Sequence, residues 1–108
     1  MVIMQYEIYW VNLDPTQGSE ISKTRPCVVI SPDDLNTYLN TTIIAPLTST
    51  IKSNYPWRTK CMVNAKAGVI AIDQLRTIDR SRLVNRMGKL TISDIKSLKE
   101  SLKQMLVD

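Results

Sequence analysis

Apolar residues along this chain come in short bursts separated by polar, turn-forming stretches, and they recur at helical spacing only near the C-terminal end. Residues 7–13, EIYWVNL, are β-branched and aromatic, which predicts a strand. Residues 14–24, DPTQGSEISKT, show no apolar periodicity and contain Pro15 and Gly18, so they predict a long loop. A loop of that length in a small chain points to a functional segment or lid. Residues 26–31 predict a buried strand, Pro32-Asp33-Asp34 a turn, residues 41–47 another strand and residues 48–55 a loop. Residues 57–64 alternate, with Trp57, Thr59, Cys61 and Val63 on one face and Arg58, Lys60, Met62 and Asn64 on the other. That period of two marks a strand with one wet face. Residues 65–68 are expected to turn into a partner strand over 69–74, which 75–79 continue, and 83–90 add a short strand. Thr91 followed by Asp94 has the form of a capping box. After it, Ile95, Leu98, Leu102, Met105 and Leu106 share one helical face, opposite Lys96, Lys99, Glu100 and Lys103. Short strands closed by one amphipathic helix predict a mainly β fold, a small, partly open barrel with the helix packed on it.

Length and composition narrow the chemistry. The 108 residues leave room for one domain, 1–108, modestly stable alone and helped by pairing with a second copy. No apolar run approaches the roughly 20 residues that span a bilayer, and the start lacks a leader pattern, so a cytoplasmic protein without membrane contact is expected. Cys27 and Cys61 lie in strand-like stretches and read as buried, reduced thiols. The chain has no histidine, so a zinc site is not expected. A two-histidine ribonuclease, a Ser–His triad and a histidine base are excluded outright. The net charge is +4, and residues 76–89 carry Arg76, Arg80, Arg82, Arg86 and Lys89 against Asp79 alone, an excess equal to the whole. Such a strip attracts a polyanion, or else forms a solvated arginine-rich turn.

Three polar stretches fall at strand ends. Gly18-Ser19-Glu20 and Lys23-Thr24-Arg25-Pro26 place an arginine at the mouth of a buried strand. Pro46-Leu47-Thr48-Ser49 leaves two hydroxyls where an apolar strand stops. Asp73-Gln74-Leu75-Arg76-Thr77-Ile78-Asp79 is unusually polar for the end of an apolar strand. Singly, these read as ion-pair partners and turn formers. Together, the series YWVNLDPTQGSE, KTRP, VVIS, IIAPLTS, YPW and IDQLRTID resembles the MazF/PemK-type toxin endoribonucleases, over residues 8 to about 91.

The resemblance implies an SH3-like barrel with a C-terminal helix, assembled as a homodimer that binds single-stranded RNA across clefts at the dimer interface. It implies cleavage by the ribose 2′-OH with no metal and no cofactor, and a cognate antitoxin whose disordered acidic tail covers the cleft. Arg25 and Thr48 match the family's catalytic pair, and Ser49, Glu20, Asp73 and Gln74 match cleft positions. Gly18, Ser19, Arg76, Arg80, Arg82 and Arg86 join them as candidate RNA contacts. Two positions depart from the pattern. Ala71 stands where some branches carry a basic residue, which leaves the cationic role to Arg25, and Tyr6 stands where a glycine is common.

Attack of a 2′-OH on phosphorus builds charge on the non-bridging oxygens, which a guanidinium can grip in pairs. Arginine stays protonated, so a carboxylate from Glu20 or Asp73 is the ordinary base on offer. Trp57, Tyr55 and Tyr38 are the candidates for stacking on unpaired bases. Two other readings keep the same fold. One is a gyrase-inhibiting toxin, a family that typically ends in a Trp-Gly-Ile type terminus, where this chain reads Met105-Leu106-Val107-Asp108. The other is a catalytically silent RNA-binding module, which the Ala71 departure would fit.

Overall fold

The sheet is organised around one strand. In the computed structural model, which describes residues 2–49 and 57–108, strand β3 (Thr41–Thr48) pairs along one edge with β2 (Thr24–Val29) and along the other with two different strands. Its first half, Thr41 to Ile44, pairs with β6 (Arg76–Asp79), while Leu47 and Thr48 pair with β5 (Lys66–Ala71). Pro46 has no N–H to donate and stands between those two partners, where no ladder bond is needed. The chain crosses from β5 to β6 through a single 3₁₀ turn, Ile72–Gln74. The hairpin partner expected over residues 69–74 and its continuation over 75–79 are thus two strands, β5 and β6, with a turn in place of a continuous strand, and both lie along one edge of β3. On the far side, β2 pairs with β1 (Glu7–Asn12) and β1 with β7 (Leu83–Lys89), while β4 (Arg58–Val63) extends the other end beside β5. All these pairings are antiparallel, and the sheet curls into a half-barrel.

Curling gives the sheet two apolar faces. Tyr9, Val11, Cys27, Val29, Ile44 and Ile78 pack inside the curl, and Ile8, Val28, Ala45, Leu47 and Ile70 pack on the opposite face. Residues 7–11 are nearly all buried for this reason, and a simple in–out alternation is lost. Helix α2 (Ile92–Leu106) covers the second face, with Leu98 wholly buried and Ile95, Leu102 and Met105 partly so. Leu106, predicted to lie on the same face, is exposed. Thr91 Oγ1 accepts from the Asp94 N–H at 3.1 Å, as the capping pattern predicts, and the Asp94 carboxylate reaches across to accept from Met62 N at 3.2 Å. Thr59 donates to Ser101 Oγ at 2.7 Å, a second tie between β4 and α2.

Two local features depart from the sequence reading. The expected turn at Pro32 opens a short helix, α1 (Asp33–Tyr38). Its single buried member is Asn36, which with Ser31 and Thr42 forms a closed polar network at 2.5–3.0 Å, so no apolar periodicity announces the helix. The β4–β5 hairpin turns at Asn64-Ala65, because Val63 pairs with Lys66 and both turn residues have positive φ, 50° and 66°. This is the two-residue turn that matches strand twist, with alanine where glycine is usual. No helix among the described residues is long and apolar enough to cross a membrane.

Candidate active site

The register of β2 on β3 decides the site. Cys27 faces Pro46, Val28 faces Ala45 and Val29 faces Ile44. Carried two residues further, that register sets Arg25 opposite Thr48. Both side chains, with Ser49, line one cavity of about 350 Å³. Its other polar lining comes from Asn64 and Lys66 on the β4–β5 hairpin, and Trp10, Pro26, Leu47, Val63 and Met87 supply an apolar surface. The lining thus brings a guanidinium, an ammonium and two hydroxyl-bearing residues together beside an apolar surface.

Arg25 is held from behind. Its Nε donates to the Ser22 carbonyl at 3.0 Å, so the two Nη nitrogens are what it can present end-on to an oxyanion. The neck of the 13–23 loop closes where Leu13 N donates to the Lys23 carbonyl at 3.0 Å and Lys23 N donates to Asp14 Oδ1 at 3.0 Å. Lys23 itself is left-handed, with φ 70°.

The remaining sequence candidates lie apart from this pocket. Gly18, with φ 57°, Ser19 and Glu20 are exposed on the loop, where the Glu20 carboxylate accepts from Gln17 N at 2.5 Å. Asp73 makes a bidentate pair with Arg58 at 2.6 and 2.9 Å. Neither carboxylate is among the described residues lining the cavity. Gln74 Oε1 accepts from Ile21 N at 3.4 Å, and Arg76 donates to the Leu13 carbonyl at 3.2 Å. Arg82 donates to the carbonyls of Asn12 and Asp14 at 3.2 and 2.5 Å. Arg86 pairs through Nε with the buried Glu7 carboxylate, and the Arg80 N–H donates to the Asn40 carbonyl at 2.9 Å. The arginine strip is thus engaged with the protein's own carbonyls and carboxylates at Arg76, Arg82 and Arg86.

Of the aromatic candidates, Trp57 is half-buried against the helix-side core and Tyr38 is 83% exposed on α1. Tyr55 lies outside the described residues. Among the described residues lining the cavity, the aromatic one is Trp10, which the sequence reading assigned only to a strand. Its signal was its place in the YWVN segment, one strand over from Arg25. Lys66 was missed as well, and it brings a second cation to the pocket, whereas Ala71 is wholly buried.

Burial pushes both thiols up to about 12, Cys27 against the pull of Arg76 and Arg25 and Cys61 with the help of Asp94. Neither is a nucleophile at neutral pH. Tyr9 is also raised, first by burial and then by the neighbouring Glu7 carboxylate. Among the described residues, no three His, Cys, Asp or Glu side chains gather to hold a metal ion.

A curled antiparallel sheet with one packed helix, and a cleft lined by Arg25 and Thr48 from two neighbouring strands, define a small half-barrel fold. Comparison with known proteins gives that class a family. Residues 4–106 match the family described as the PemK-like, MazF-like toxin of type II toxin–antitoxin systems, and the chain belongs to it. It is 36% identical to Endoribonuclease MazF9 of Mycobacterium tuberculosis, over 90% of each chain. The crystal structure of MazF from Deinococcus radiodurans superposes with a TM-score of 0.84 at 25% identity, covering 98% of this chain and 97% of that one. A mycobacterial endoribonuclease in complex with its cognate antitoxin shares the fold, with a TM-score of 0.80 at 17% identity, covering 96% of this chain and 94% of that one.

Proposed function

We propose that this protein is the toxin of a toxin–antitoxin pair, an endoribonuclease that cuts single-stranded RNA selectively by attack of the ribose 2′-OH, without a metal, as a homodimer. The observation that carries the reading is that Arg25 and Thr48, on adjacent strands, line one cavity together with Trp10. As the 2′-OH gives its proton to water and its oxygen bonds to phosphorus, the P–O5′ bond breaks and O5′ takes a proton from water, while charge on the non-bridging oxygens meets two guanidinium nitrogens and a hydroxyl. Each such donor is worth about a hundred- to a thousandfold in rate in comparable sites. The described lining holds no carboxylate, so in this reading charge stabilisation rather than a strong base carries the rate, and slow turnover is expected. A disordered acidic antitoxin tail is the natural competitor for a pocket holding Arg25 and Lys66.

Incubation with a long RNA in excess EDTA tests this reading. Products with 5′-hydroxyl and 2′,3′-cyclic phosphate ends are expected, together with resistance of a substrate carrying 2′-deoxyribose at the cut site. Arg25→Ala should abolish cleavage, Arg25→Lys should rescue poorly and Thr48→Ala should lose less. Dependence on added magnesium, or cleavage of DNA, would refute the mechanism. RNA binding without cleavage would identify a silent binding module, and inhibition of gyrase without cleavage would identify a protein-directed toxin.

A further inference from the structure

We infer that Arg82 and Asp14 are positioning residues for Arg25, acting through the 13–23 loop rather than by touching RNA. The inference rests on the reading of Arg25 as the oxyanion-gripping residue. Arg25 takes its orientation from a backbone atom, the Ser22 carbonyl at 3.0 Å from Nε. That carbonyl belongs to a loop with no regular secondary structure, so its direction depends on how the neck of the loop is fixed. The neck, closed by the Leu13–Lys23 backbone bond at 3.0 Å, is fixed further by two side chains. Asp14 Oδ1 accepts from Lys23 N at 3.0 Å and holds Lys23 in the left-handed conformation that follows Ser22, φ 70°. Opposite, one Arg82 nitrogen bridges the carbonyls of Asn12 and Asp14 at 3.2 and 2.5 Å, and so locks the strand end from which Asp14 projects.

The chain of contacts therefore runs from Arg82 to the Asp14 backbone, through the Asp14 side chain to Lys23, and from the Ser22 carbonyl to the guanidinium. It also explains why a residue from the basic strip points at the protein's own carbonyls. Phosphate would have to compete for a donor already held by two of them. Loss of either clamp lets the Ser22–Lys23 peptide turn, and the guanidinium loses the backing that aims its Nη pair at the position opposite Thr48. A displacement of about 1 Å at such a site costs up to about a hundredfold in rate.

The test compares wild type with Arg82→Ala, Asp14→Ala, Asp14→Asn and Arg25→Ala. Single-turnover cleavage is measured beside binding of a 2′-deoxy-blocked RNA across a salt series. Arg82→Ala and Asp14→Ala should cleave about ten- to a hundredfold more slowly, with Kd within about twofold of wild type and an unchanged salt slope. Asp14→Asn keeps an acceptor oxygen and should retain the wild-type rate. Arg82→Ala with a normal rate, weaker binding and a salt slope smaller by about one would make Arg82 a phosphate contact and overturn the inference. So would normal rates in both alanine variants beside an inactive Arg25→Ala. Wild-type cleavage by Arg25→Ala would instead overturn the underlying assignment of Arg25.

Discussion

Removing the Arg86 side chain tests whether the basic strip is architecture or RNA contact. Arg86 Nε pairs with Glu7 Oε2, and the Glu7 side chain is only 10% exposed, against 51% for Arg86. The other carboxylate oxygen of Glu7 already accepts from Met4 N at 2.7 Å and from the Tyr9 hydroxyl at 3.2 Å. Arg86→Ala leaves that charge in place, buried and short of one partner. Breaking a fully buried pair costs about 3–5 kcal/mol, and an exposed pair is worth about 0–1 kcal/mol. With one partner buried and one half in water, about 2 kcal/mol is the expected loss. For a domain of this size that lowers Tm by roughly 8–16 °C. The measurement is thermal unfolding at one fixed protein concentration, because a dimer adds a mass-action term. Adding Glu7→Gln to Arg86→Ala should recover part of the loss, since no stranded charge remains. A Tm within about 2 °C of wild type, together with weaker RNA binding and a salt slope smaller by about one, would refute the structural role and return Arg86 to the RNA surface.

Trp10→Ala should weaken binding of uncleavable RNA by about 1–3 kcal/mol, the worth of one stacked base, while Tyr38→Ala on exposed α1 should leave it unchanged; the reverse pattern would move base recognition away from the cavity. Ala65→Gly should stabilise the protein by about 1 kcal/mol in urea unfolding, because it relieves an alanine at φ 66°, and a loss of stability would contradict the Asn64-Ala65 turn. Native Cys27 and Cys61 should resist a thiol reagent near pH 8 and react on unfolding. Above the ordinary thiol value of 9.0 the unfolded chain releases protons that the folded chain keeps to about 12, so stability should fall as pH rises between those values. Cys27→Ala with Cys61→Ala should flatten that decline, and an unchanged decline would place its origin in other groups.

The strands and α2 were legible because their patterns report burial directly, as in the alternation from Trp57 to Asn64 and the cap at Thr91. Arg25 and Thr48 were legible because each sits where an apolar run meets a polar one, and the family motifs marked them. What tied them together, the β2–β3 register, is a pairing between segments about twenty residues apart and leaves no local trace. Helix α1 stayed hidden because its buried side is a satisfied asparagine rather than a leucine. For the arginine strip, the charge count left two readings open. Composition records that Arg76, Arg82 and Arg86 are basic, but not that backbone carbonyls and Glu7 already occupy them. Trp10 was overlooked because a tryptophan in a strand is usually core, and only the curl of the sheet opens one side of it to the cavity.

The pairing of β1 with β7 joins Glu7, in the first strand, to Lys89, in the last, and the cavity takes Trp10 from the first of these strands and Met87 from the second. During translation, at about 5–20 residues per second, Arg25 and Thr48 emerge well before the strand that closes the sheet beside them. The wall that Met87 lends to the cavity is therefore the last part of its described lining to be made, and the pocket beside Arg25 and Thr48 is completed only when β7 closes on β1.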